Sequence, residues 1–230
     1  MVGYPADVEA VILGPEGALQ AMQPGSLLID FTTSRPSLAR TIAAAAVERR
    51  ILALDAPVSG GDIGAREARL SIMVGGRKEG FEKALPLLNR LGKTVMHQGP
   101  AGCGQHTKMV NQIMIAANMM GVCEGLMYAR CAGLDPANVL QSVGGGAAAS
   151  WSLANLYPRI LAGDYQPGFY VEHFIKDLQI ALDEAARMKL ELPGLTLARQ
   201  LYEAVRSEGG ARLGTQALIL SLERLNIIAP

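Results

Sequence analysis

An α/β domain followed by an all-helical one is what the sequence predicts, and three observations predict it. Apolar runs of strand length alternate with helical patterns up to residue 98. Beyond Gly99 no strand-like run follows, and residues 104–132 form one long segment that is apolar nearly all round. The texture changes at Gly99-Pro100-Ala101-Gly102, so the expected division is 1–98 and 99–230.

Each element has its own signal. Val8 to Leu13 reads as a short helix after a Tyr4-Pro5 turn. Leu27-Leu28-Ile29-Asp30-Phe31 is a continuous apolar run, as expected of a strand buried on both faces. Pro36, favoured in a first turn, starts a helix that runs through Ala43 to Arg49. Leu52 to Ala56 is the next strand, closed by Pro57, and Leu70 to Val74 another, ended by Gly75-Gly76. Phe81 to Leu91 reads as an amphipathic helix kinked at Pro86, and Thr94 to His97 as a last strand. Strands separated by helices indicate a parallel sheet whose later strands can reverse direction. The long segment 104–132 is the pattern of a helix buried between layers. Asp135-Pro136 reads as N-cap and first residue of the next helix, which Gly144-Gly145-Gly146 ends. Further helical patterns run from Ser150, His173 and Pro193.

Composition narrows the function classes. The chain of 230 residues carries 21 basic and 21 acidic side chains, so it offers no electrostatic footprint for nucleic acid or an anionic membrane. Its longest apolar stretch, Ile113 to Met127, is interrupted by Asn118 and Glu124 and is too short to span a bilayer. Cys103, Cys123 and Cys131 form no CxxC pair and read as small core residues of a reducing compartment, so a cytoplasmic or organelle-matrix location is the default, and cytoplasmic the expectation. His97, His106 and His173 are scattered, so no metal site is expected. Trp151 and the ten methionines read as core filling.

Three constellations carry chemistry. Asp55-Ala56-Pro57-Val58-Ser59-Gly60-Gly61 ends a strand, where open α/β sheets bind ligands; its paired glycines let backbone approach a ligand, and Ser59 adds a hydroxyl. A plain tight turn would explain the same residues. Gly99-Pro100-Ala101-Gly102-Cys103-Gly104 opens the long helix, and Lys108, Asn111 and Gln112 then share one face. A lysine on a helix built for burial is costly unless paired, solvated in a cleft or functional, and desolvation of an amine favours its neutral form, as a general base near neutral pH requires. Snorkelling to solvent is the competing account. In the third segment, apolar residues at 174, 178, 182 and 185 leave Lys176 and Asp177 on a polar border, which by spacing alone is a solvated helix face. No GxGxxG follows a strand and opens a helix anywhere in the chain.

Taken together, these segments carry a resemblance. DAPVSGGDIGAREARLSIMVGG (55–76) resembles the substrate-binding signature of the β-hydroxyacid dehydrogenases, GPAGCGQHTKMVNQ (99–112) their catalytic signature, and KDLQIALDEA (176–185) their cofactor-side signature; IDFTTSRP (29–36) and the opening MVGYP are similar to the family too. The three signatures occur in the family's order, and the resemblance covers essentially the whole chain. It implies the later part of a Rossmann-like NAD- or NADP-binding domain over 1–98 and an all-helical substrate and oligomerisation domain over 99–230, built on the long interdomain helix. It makes Lys108 the catalytic lysine and places Ser59, Gly60, Gly61, Asn111 and Gln112 on the substrate. Residue 112 is asparagine in many relatives and glutamine here, which bears on substrate identity. Thr33 and Lys176 would lie along the nicotinamide, and Met1, Val2 and Pro5 beneath its ribose.

The implied substrate is a small 3-hydroxy carboxylate or its semialdehyde, of the 3-hydroxyisobutyrate or tartronate semialdehyde class. The implied assembly is a homodimer or homotetramer. Family members begin with a strand and a GxGxMG turn upstream of the point matched by Met1. The expectation is therefore of a truncated Rossmann-like domain without the helix N-terminus that grips pyrophosphate, and with little dinucleotide affinity of its own. A different class of function also fits: a non-catalytic remnant acting as a self-associating helical module.

Overall fold

The computed structural model describes residues 1–226. Two compact units divide the chain, Met1–Asn111 and Gln112–Pro230. The beginning of the long helix thus packs with the first unit, where the sequence alone draws the junction at the preceding glycine turn.

In the first unit, α1 (Pro5–Leu13) and α2 (Ala18–Ala21) lead into β1 (Leu27–Asp30), α3 (Pro36–Glu48) and β2 (Leu52–Asp55). There follow β3 (Val58–Ser59), α4 (Gly61–Arg66), β4 (Leu70–Gly76), α5 (Lys78–Leu88) and β5 (Gly92–Gly99). β1 and β2 pair in parallel from Leu27↔Leu52 to Asp30↔Asp55. β4 then runs antiparallel to both β2 and β3, and parallel to β5. Two apolar clusters hold these layers: Val8, Ile12, Leu19, Leu38, Ile42 and Ile51 in one, and Leu54, Ile72, Val74, Ala84 and Leu88 in the other.

The sequence-based boundaries shift for local reasons. α1 begins at Pro5 because proline fills the first helical position rather than a preceding turn. β1 stops before Phe31 because the Asp30 carboxylate accepts the Thr32 amide at 2.9 Å and turns the chain. β2 stops at Asp55, yet the Ala56 amide still donates to Asp30 at 2.7 Å. Gly75 and Gly76 do not end β4; they pair with Asp55 and Leu54. α5 covers Lys78–Leu88 rather than 81–91, with Pro86 inside it, and β5 covers Gly92–Gly99 because β4 supplies a partner along that length. α2, β3 and α4 are too short to give a periodic signal. The Ser59-Gly60-Gly61 turn also differs from expectation. Ser59 sits in β3, paired to Ser71, and Gly60 and Gly61 take φ of +131° and +63° to lead into α4. Those are values that side chains beyond glycine disfavour.

α6 (Cys103–Cys131) passes from the first unit into the second. The second unit continues with α7 (Pro136–Val143), α8 (Trp151–Asn155), α9 (Tyr157–Leu161), α10 (Val171–Arg187), α11 (Pro193–Ser207) and α12 (Leu218–Leu225). Asp135 caps α7 as its sequence implies, accepting from the Ala137 amide at 2.8 Å. The pattern from Ser150 is two helices, separated at Leu156 just ahead of Pro158, and α10 starts at Val171, two residues before His173. Beyond the expected helices lie α12 and an isolated antiparallel bridge between Tyr170 and Gly214. Phe174 and Tyr202, both fully buried, meet edge to face at 5.0 Å between α10 and α11.

Some burial expectations are overturned. α6 is not covered all round: Val110, Met114, Ala117, Gly121, Gly125 and Tyr128 are exposed at three- to four-residue spacing, hence on one face. Trp151 is 69% exposed and so is not core filling, and Cys131 is exposed where Cys123 is buried. Among the described residues no helix is long and apolar enough to cross a membrane.

Candidate active site

The first unit builds a site around one amine. Lys108, on the second turn of α6, is only 6% exposed, and its Nζ donates to the Val58 carbonyl at 2.8 Å. The snorkelling account therefore fails: the side chain turns inward, onto the residue that precedes Ser59. Half-buried Ser59 and exposed Gly60 and Gly61 follow directly on that strand. Catalytic and substrate signatures, fifty residues apart, are thereby joined by a hydrogen bond.

What aims Lys108 is the anchoring of α6. Asp55, 4% exposed, accepts the Gly102 amide at 2.8 Å through Oδ1 and the Gln105 amide at 2.9 Å through Oδ2. A carboxylate from a distant strand thus serves the helix's orphan N-terminal amides, as a local cap would. Glycine makes the approach possible. A Cβ at Gly75 would lie 2.5 Å from Asp55 Oδ1, and one at Gly104 would lie 2.6 Å from the Asp55 carbonyl oxygen. Burial raises the Asp55 pKa to about 6 despite those two amides, which pull it down.

Beside this anchor lies the loop after β1. Thr32 and Ser34 are buried, and Thr33 between them is half-buried. The Val2 amide donates to Thr32 Oγ1 at 3.0 Å, so exposed Met1 and Val2 are brought to the loop that carries Thr33. Pro5 is half-buried at the start of α1, and Asn111 is half-buried on α6. A recess of about 470 Å³ in this unit, lined by Ala43, Val47, Gly76, His97 and Ala101, includes none of the expected site residues.

The second unit contains its own polar knot. Gln112, 1% exposed, donates through Nε2 to Asp177 Oδ2 at 2.7 Å, and Lys176 Nζ lies 3.0 Å from Asp177 Oδ1. Asp177 is fully buried and the Lys176 side chain 13% exposed, so the reading of this segment as a solvated helix face is wrong. A buried aspartate and the half-buried lysine paired to it are costly to desolvate, and their placement here is what spacing alone could not show. Among the described residues no group of three or more His, Cys, Asp or Glu could hold a metal ion.

Sequence reasoning missed Asp55, Gln105, Thr32 and Asp177 as working residues. For Gln105 a signal existed, since it precedes Lys108 by three residues and so shares its face. For Asp55 there was none, because its partners lie 47 and 50 residues away.

Comparison with known proteins divides the chain at the glycine turn before α6, ahead of the boundary between the two compact units. Residues 1–99 match the family model of the NAD binding domain of 6-phosphogluconate dehydrogenase, and residues 102–222 that of the NAD-binding of NADP-dependent 3-hydroxyisobutyrate dehydrogenase. The chain is 56% identical, over 95% of its length and 76% of the relative's, to the uncharacterized oxidoreductase YkwC of Bacillus subtilis. It is 50% identical, over its whole length and 69% of the relative's, to the probable mitochondrial 3-hydroxyisobutyrate dehydrogenase-like 1 of Arabidopsis thaliana. Among solved structures, 3-hydroxyisobutyrate dehydrogenase of Mycobacterium tuberculosis with L-serine superposes with a TM-score of 0.87 at 30% identity, covering 96% of this chain and 77% of that one. The chain belongs to the β-hydroxyacid dehydrogenase family, nicotinamide-dinucleotide-dependent oxidoreductases of the 3-hydroxyisobutyrate dehydrogenase type.

Proposed function

We propose that this protein interconverts a small 3-hydroxy carboxylate and its semialdehyde with NAD or NADP, and that Lys108 is the general acid and base. The observation that carries the reading is the buried Lys108 nitrogen held at 2.8 Å on the Val58 carbonyl, beside Ser59. A carbonyl acceptor fixes the nitrogen without itself taking up charge, so the amine is oriented for proton transfer.

The residues present fit a nicotinamide end. β1 and β2 are in-register parallel strands, and the loop leaving β1 presents Thr33 between two buried neighbours. When bound, the nicotinamide accepts or returns the hydride. In the oxidative direction, neutral Lys108 takes the proton of the 3-hydroxyl; in reverse, its ammonium protonates the aldehyde oxygen. Ser59 and the backbone of Gly60 and Gly61 hold the substrate carboxylate and hydroxyl. By resemblance, Asn111 and Gln112 contact substrate, while Met1, Val2, Pro5, Thr33 and Lys176 lie on the cofactor side. The L-serine of the Mycobacterium tuberculosis structure is itself a 3-hydroxy carboxylate, which supports this substrate class over a larger one. Exposed Met114, Tyr128 and Trp151 support assembly as a homodimer or homotetramer.

The test is Lys108→Ala, assayed with 3-hydroxyisobutyrate and tartronate semialdehyde against both dinucleotides. Turnover should fall at least about a hundredfold with dinucleotide affinity nearly unchanged. Turnover that survives within about tenfold removes Lys108 from the proton-transfer role.

A further inference from the structure

Gln105 is fully buried and uses three polar groups in two directions. Its backbone amide donates to Asp55 Oδ2 at 2.9 Å, which ties it to the anchor of α6. Its side chain reaches the other way. Oε1 accepts the Ser34 amide at 2.9 Å, and Nε2 donates to the Thr32 carbonyl at 2.7 Å. The amide thus grips the backbone on both sides of Thr33 while leaving the Thr33 side chain uninvolved in either bond. A carboxamide suits this task because it offers one donor and one acceptor in a plane, and no carboxylate or hydroxyl of similar reach offers both so placed.

The loop has further ties, all converging on the same residues. The Thr32 amide donates to Asp30, and the Val2 amide donates to the Thr32 hydroxyl. Ser34 is buried with its hydroxyl lacking a hydrogen-bond partner among the described residues. That unsatisfied group is a cost, and a loop that bears it must be held in place by something else. The Gln105 side chain is what meets its backbone. One helical turn beyond Gln105, on the same face, stands Lys108.

We infer that Gln105 is a positioning residue: it clamps the loop carrying Thr33 to the first turn of α6, so that this loop and the Lys108 amine keep a fixed separation. The inference rests on the roles proposed above for Thr33 and Lys108. It extends them by naming what sets the distance between the nicotinamide-side loop and the group that moves the proton. Misplacement of such groups by about an ångström costs on the order of a hundredfold in rate.

Gln105→Met tests it, since methionine keeps the volume and removes both side-chain bonds; Gln105→Ala serves as a second variant, and thermal melts verify that each folds. Hydrogen exchange at the Ser34 amide should accelerate more than about tenfold while the amides of α6 beyond Lys108 stay protected. In the same protein, kcat with 3-hydroxyisobutyrate should fall at least about tenfold, with KM moving less than about threefold. Exchange at Ser34 equal to wild type overturns the clamp, whatever turnover does. Faster exchange with kcat unchanged leaves Gln105 a structural residue only and equally overturns the inference. Turnover of 3-hydroxyisobutyrate by Lys108→Ala within about tenfold of wild type overturns the site reading, and the clamp's part in it, even where exchange responds as expected.

Discussion

Asp55 in the first unit and Asp177 in the second are both buried carboxylates on elements of the family's signatures, and they are satisfied by opposite means. Asp55 is held by backbone amides, at Gly102 and Gln105. Asp177 is held by side chains, the Gln112 amide and the Lys176 ammonium. Backbone donors cannot be exchanged by substitution, and they bring no formal charge. Asp55 therefore anchors a helix and keeps a pKa raised to about 6 by burial. Side-chain donors carry their own chemistry, and Asp177 orders two groups that the proposal places on substrate and cofactor. One carboxylate fixes a scaffold, and the other ties two polar side chains together.

Removing each carboxylate should sharpen that contrast most. Asp177→Ala removes a fully buried carboxylate from its Gln112 and Lys176 partners and should cost about 3–5 kcal/mol of unfolding free energy. Asp55→Ala strands two neutral amides and should cost less, about 2–3 kcal/mol. Urea denaturation of both variants gives the order, and the reverse order would show that the two sites do not differ as described.

A smaller effect lies in pH. Because the folded pKa of Asp55 stands above its ordinary 3.8, the folded protein binds more protons than the unfolded chain between about pH 4 and 6. This share of stability is complete below about pH 4 and lost as pH rises through about 6, in total about 3 kcal/mol. Asp55→Asn should lack it. Subtracting the variant's urea midpoints from those of the wild type across pH 4–8 isolates the change, and a flat difference would count against a raised pKa.

The smallest expected effect tests the turn beside Lys108. Gly60 sits at φ +131°, and a Cβ there would meet Leu70 Cδ2 at 3.3 Å. Gly60→Val should raise KM for carboxylate substrates several-fold and cost about 1 kcal/mol or more in stability, from backbone strain. An unchanged KM would mean that this turn does not hold the acid.

Much of the architecture was legible in the residues alone. Pro36 and Pro136 mark helix starts, the run Leu27–Asp30 is strand-like without any context, and the absence of strand patterns after Gly99 fixes the change of class. These signals are local, because turn chemistry, capping and periodicity act over a few residues. The three signatures around Ser59, Lys108 and Lys176 were also legible, through resemblance rather than spacing. Spacing alone misassigned Lys176 and Asp177 to solvent.

What the tertiary structure decided are the contacts that cross long stretches of chain. β4 reverses against β2, Lys108 turns onto Val58, Asp55 caps α6, and Gln105 grips the backbone around Thr33. No local pattern encodes these contacts. A buried polar side chain is required to find a partner, but its own neighbourhood in sequence does not say which one. Only packing, with its glycine clearances and its exclusion of water, selects the partner.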